Sequence, residues 1–137
     1  MKKIILVLAF LLANVAVQAQ QKKENQSTGG PVLAFAEDRY EFGDIKQGDK
    51  VEHTFDFENT GNEPLIISNV LTTCGCTVPK WPREPIAPGG TGKIEVVFNS
   101  TNKSGVQTKV ITILSNAGEG RTKVTLYGNV LVGESAN

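Results

Sequence analysis

The chain holds little of what most catalytic and nucleic-acid-binding proteins depend on. Its 137 residues include one methionine, one histidine, one tryptophan and two cysteines. With a single histidine, no G-x-S-x-G and no H-E-x-x-H, neither a serine triad nor a metalloprotease site can be written down. Met1 is the only thioether, so a soft Cu(I) site would have to draw on Cys74, Cys76 and His53 alone. Basic residues are not in excess: 14 Lys and Arg face 14 Asp and Glu, and loss of Lys2 and Lys3 with a leader leaves 12 against 14. Such a chain has no positive field for nucleic acid or anionic lipid. Gly89-Gly90-Thr91-Gly92-Lys93 looks like a phosphate loop, but that pattern needs Gly where Ala87 stands and Ser or Thr where Ile94 stands, so it reads as a turn. Helix signals are absent too. The expectation is a protein that is not an enzyme and carries no cofactor.

What is present begins at the N-terminus. Met1-Lys2-Lys3 is followed by an apolar run from Ile4 to Ala13 and by Val17-Gln18-Ala19, the small-x-small pattern of signal-peptidase sites. Asn14 and Gln18 interrupt the run well before the roughly 20 apolar residues a membrane span needs. Residues 1–19 therefore read as a cleavable signal peptide that leaves no integral membrane segment. No cysteine stands at the cut, which excludes acylation of the first mature residue. The expected destination is the periplasm or the cell exterior, where thiols tend to pair. Residues 20–30 are polar and end in two glycines, a disordered linker; 31–132 form the domain; 133–137 are a tail.

Within that domain the apolar pattern has period two. In Val51–Glu58, Val51, His53, Phe55 and Phe57 share one face while Glu52, Thr54, Asp56 and Glu58 share the other. Ile94, Val96 and Phe98 alternate in the same way. Asn59-Thr60-Gly61-Asn62 reads as a turn, with Gly61 free for positive φ, and Pro64–Val70 as the start of the next strand. Val106–Leu114 and Arg121–Val130 read as a hairpin around Asn116–Gly120, without showing whether Val110 and Leu114 or Ile111 and Ile113 face inward. Val32–Ala36 and Tyr40–Ile45 open the fold, for about seven strands, the count of an immunoglobulin-like β-sandwich.

Four groups of residues invite a functional reading. Cys74-Gly75-Cys76 permits a disulfide, a soft-metal or redox site, or two buried thiols. In a regular strand the two Cα atoms would stand roughly 6.6 Å apart, so closure needs a bend at Gly75. His53, on the apolar face, reads as a buried, hydrogen-bonded structural histidine, with a metal ligand or pH switch as the second reading. Pro79, Pro82, Pro85 and Pro88 recur every three residues, so a polyproline II segment would place all four on one face. Trp81 lies within that segment, either plugging one end of the sandwich or forming a partner-binding patch with Pro79 and Pro82. Asn99-Ser100-Thr101 and Asn102-Lys103-Ser104 match the glycosylation pattern but have the composition of surface turns.

The order Phe42-Gly43-Asp44-Ile45, His53-Thr54-Phe55, Asn59-Thr60-Gly61, Pro64-Leu65-Ile66-Ile67, Thr73-Cys74-Gly75-Cys76-Thr77 and Pro88-Gly89 resembles a domain-of-unknown-function family of secreted bacterial proteins. That family is common in Bacteroidetes and Planctomycetes, and its hallmarks are the N-T-G turn, C-G-C and a later P-G. The resemblance spans roughly Phe35 to Val130. It implies kinship with the immunoglobulin-like superfamily of major sperm protein, ASH and Hydin domains, which scaffold assemblies. The resulting expectation is an exported, non-catalytic binding or assembly module acting through its edges and loops on an unknown protein or envelope component. The alternative is a periplasmic thiol or copper-handling protein using Cys74 and Cys76.

Overall fold

In a computed structural model, described over residues 29–133, the period-two segments become strands and one more strand joins them. The elements are β1 (Leu33–Phe35), β2 (Arg39–Lys46), β3 (Lys50–Asn59), β4 (Ile67–Thr72), β5 (Thr77–Lys80), β6 (Thr91–Asn99), β7 (Gly105–Ser115) and β8 (Arg121–Leu131). They form two four-stranded sheets, β1-β3-β6-β5 and β2-β8-β7-β4. All pairings are antiparallel except β2 with β8, where the second strand runs parallel to the last one. This is an all-β, immunoglobulin-like sandwich. No helix among the described residues is long and apolar enough to cross a membrane. The leader, nearly all of the linker and all but Gly133 of the tail lie outside the described residues.

The alternation in β3 and β6 sets the core. Phe55 pairs with Ile94 and Val51 with Phe98, and all four turn inward and are buried. From the facing sheet come Ile111, Ile113, Val124 and Leu126, each fully buried. This resolves the ambiguity in β7: Ile111 and Ile113 face the core, and Val110 and Leu114 lie on the other face. Burying a Phe or Ile side chain contributes about 1.5–3 kcal/mol, so this double layer accounts for the cohesion of the sheets.

Three sequence expectations change. The strand count is eight, because Thr77–Lys80 pairs with β6 as an edge strand. Proline is tolerated there because the missing N–H falls on the side with no partner strand. The four prolines consequently do not share one face: Pro79 lies in β5, Pro82 is half-buried, and Pro85 and Pro88 are exposed, with Ile86 between them drawn into a bridge with Leu65. Ser100 is not a surface turn residue. It is fully buried, and its hydroxyl donates to Asp49 O at 2.7 Å and accepts from Gly48 N at 3.0 Å.

At the N-T-G turn the chain passes from β3 to β4, between the sheets. Asn59 is fully buried and satisfied on every side: Oδ1 accepts from Val32 N (3.1 Å) and Gly61 N (3.0 Å), and Nδ2 donates to Glu63 O (2.7 Å) and Ile86 O (2.9 Å). Gly61 is needed, though not for positive φ as expected. A Cβ there would sit 2.1 Å from Gly30 O, so glycine is required by the close approach of the N-terminal segment.

Candidate functional site at the β4–β5 corner

The chain leaves one sheet at Thr72 and enters the other at Thr77, and Thr73–Cys76 is the crossing. Cys74 and Cys76 form a disulfide with Cα atoms 5.3 Å apart, closer than an extended strand would hold them. The expected bend occurs, but not through a glycine-only conformation: φ at Gly75 is outside the left-handed region, and a Cβ there would meet nothing within 4 Å. The disulfide closes a ring of only three residues. On the chain-entropy relation such a loop contributes about 1.6 kcal/mol, against about 4.7 for a 100-residue loop. As a staple it is weak.

Other bonds already hold the corner. Thr72 Oγ1 donates to Cys74 O at 2.9 Å, Thr77 N donates to the same oxygen at 3.3 Å, and Asn99 N donates to Cys76 O at 2.9 Å. Thr77 is only 3% exposed, and the partners of its hydroxyl among the described residues are the two sulfurs, 3.8 Å from Cys74 Sγ and 3.9 Å from Cys76 Sγ. Cys76 packs against the hydrophobic core, and Cys74 and Cys76 are both half-buried.

The outer edge of β5 is poorly suited to pairing with another strand. Asn99 N bonds Cys76 O, so by antiparallel alternation Val78 and Lys80 also bond β6, and Thr77 and Pro79 present their backbones to the open side. Thr77 N is taken by Cys74 O, and Pro79 has no N–H. The edge therefore offers side chains more than backbone. Val78 stands 58% exposed on the outer face. Beyond β5, Trp81 rests one part on the core, and the Arg83 guanidinium lies 3.9 Å over its ring. Trp81 is thus half-buried, with one part in contact with the core. Its Nε1 is buried without a hydrogen-bond partner among the described residues.

Shallow depressions surround this edge. One of about 460 Å³ is lined by Pro79, Lys80, Trp81, Pro82, Arg83, Lys93 and Glu95. Another of about 430 Å³ is bordered by Lys50, Gly75, Cys76, Val78 and Asn99. A larger one, about 670 Å³, opens near β1 between Ala34, Asp56, Glu58 and Lys93 and holds none of the expected site residues. Cys74, Cys76, Pro79, Trp81 and Pro82 therefore fall along one short edge.

His53 does not join them. It sits in the row Pro79–Val96–His53, two strands away from β5. Its Nε2 is 2.6 Å from Glu37 Oε1, its ring stacks on Tyr40 at 3.6 Å, and its side chain is 16% exposed. It is hydrogen-bonded as expected, but half-buried and not fully buried. Among the described residues no three His, Cys, Asp or Glu side chains gather to hold a metal. On the β7 side, Lys109 lies 5.4 Å from the Phe98 ring, and burial, followed by repulsion from Lys103, lowers its pKa below the ordinary lysine value. Sequence reasoning missed Thr77 and Arg83. The burial of Thr77 follows from the β5 register, which the proline had concealed.

Two facing four-stranded sheets, antiparallel but for the pairing of β2 with β8, make an immunoglobulin-like β-sandwich. The family model described as "Protein of unknown function (DUF1573)" matches residues 33–130, and the chain belongs to that family. No curated protein matches the sequence. Among solved structures it is similar to a protein of unknown function from Porphyromonas gingivalis W83, with a TM-score of 0.64 and 15% identity over 80% of this chain. It is also similar to the ASH/PapD-like domain 7 of human CEP192, with a TM-score of 0.60 and 11% identity over 74% of this chain and 87% of that one. A third likeness is to the secreted serine protease VesC from Vibrio cholerae, with a TM-score of 0.59 and 18% identity over 73% of this chain. The chain spans 51% of the Porphyromonas protein and 23% of the protease. These likenesses are of fold.

Proposed function

We propose that this domain is an exported, non-catalytic binding or assembly module of the periplasm or cell surface, and that its protein or envelope partner docks on the Trp81–Arg83 end of β5. The supporting observation is the stack itself. An arginine held 3.9 Å over a tryptophan, flanked by Pro79 and Pro82, is anchored on the core yet reaches the surface. Tryptophan and arginine are the side chains that most often dominate binding energy at interfaces. The blocked backbone of β5 favours docking through side chains over strand addition.

The test is co-purification from envelope extracts with wild type, Trp81→Ala and Arg83→Glu. Arg83 is exposed, so its replacement should leave stability within about 0.5 kcal/mol while abolishing capture of the species that wild type retains. Capture that survives both substitutions rejects this surface. Mass spectrometry of the exported protein should find Gln20 at its N-terminus, and an intact Met1 there would reject the export reading.

A further inference from the structure

We propose that the Cys74–Cys76 disulfide is an exchangeable redox pair, opened and re-formed by an external dithiol. This goes beyond the docking proposal and rests on different residues. The first observation is the setting of Thr77. Its buried hydroxyl has two disulfide sulfurs as partners, at 3.8 and 3.9 Å, and a disulfide sulfur is a weak acceptor. A thiolate is a strong one, because hydrogen bonds to charged groups are about twice as strong as neutral ones. The hydroxyl is therefore better satisfied when the disulfide is open, and it stabilises the leaving sulfur during exchange.

The second observation is that the corner does not depend on the disulfide. Thr72 and Asn99 fix the carbonyls of Cys74 and Cys76 independently of it, and the ring it closes has three residues. Opening it frees little chain. The third is access. Gly75 is exposed with open space around it, and the 430 Å³ depression beside Cys76 also carries Lys50, whose positive charge favours a thiolate nearby.

A thiolate of the donor dithiol attacks Cys74 Sγ, the sulfur that does not pack on the core. The Cys74–Cys76 bond breaks, and Cys76 leaves as a thiolate that accepts from Thr77 Oγ1. The donor's second thiol, deprotonated, then attacks its own sulfur in the mixed disulfide and releases Cys74. Two electrons and two protons pass to the pair, and the donor becomes a disulfide. An oxidised dithiol partner reverses each step.

The purified exported protein, equilibrated in graded mixtures of reduced and oxidised dithiothreitol and then alkylated, reports the redox equilibrium by mass. Thiolate absorbance against pH reports the titration of the reduced form. Reduction should be complete and reversible with the near-ultraviolet circular dichroism retained, and one thiol should titrate below the ordinary cysteine range. Thr77→Val should move that thiol back toward the ordinary range and shift the equilibrium about tenfold toward the disulfide, and Thr77→Ser should restore both. A thiol titration and redox equilibrium unchanged in Thr77→Val would overturn the proposal. So would reduction that occurs only in denaturant, a wild-type measurement that does not depend on whether the variant folds.

Discussion

Chain crossings at the two ends of β4, each centred on a glycine, solve the same problem in opposite ways. At Asn59-Thr60-Gly61 a fully buried amide makes four side-chain hydrogen bonds, and the glycine is wedged against Gly30. At Cys74-Gly75-Cys76 the glycine is in open space, the covalent link closes a minimal ring, and among the described residues a buried threonine hydroxyl has only sulfur to bond. Both motifs stand out in the sequence with equal prominence. The first is explained by packing and polar satisfaction, as a joint that holds the sheets in register. The second leaves bonding capacity unused, and the proposed exchange draws on it.

By that contrast the two corners respond to substitution on different scales. Asn59→Ala strands the N–H groups of Val32 and Gly61 and the carbonyl of Glu63, leaves Ile86 O with Leu65 N alone, and should cost about 3–5 kcal/mol, as much as truncating a core phenylalanine. Denaturant unfolding would measure it, and a loss below 1 kcal/mol would remove Asn59 as the hinge of the fold. Gly61→Ala, which drives a methyl onto Gly30 O, should cost about 2–3 kcal/mol. The double variant Cys74→Ser, Cys76→Ser should lose about 1–2 kcal/mol. Gly75→Ala should change stability by no more than about 0.5 kcal/mol, and a larger effect than that of Gly61→Ala would reverse the comparison.

How far these features could be read in advance follows from the range of the interactions that make them. β3, β6 and the β7–β8 hairpin were legible because alternation is local and strong: Val51, Phe55, Ile94 and Phe98 turn inward as their spacing requires. The inward face of β7 was not, because Val110–Leu114 is apolar on both faces and only packing on β3 and β6 decides it. β5 was hidden by Pro79, whose presence argues for a loop unless the strand is known to lie at an edge. The roles of Asn59 and Ser100 depend on bonds to residues 27 and about 50 positions away, which local composition does not encode. For the same reason the sequence pointed to the cysteines but not to Thr77, whose inward aim is set by its pairing with Phe98.

The claim that the C-G-C corner is dispensable to the fold and open to exchange is tested most directly by reducing the folded protein with dithiothreitol, alkylating it without denaturant, and comparing its thermal unfolding with that of the oxidised form. Both cysteines should label under native conditions, with cooperative unfolding preserved and Tm lowered by about 10 °C or less. Labelling that appears only as the near-ultraviolet circular dichroism is lost would contradict the account and make the disulfide a structural part of the domain.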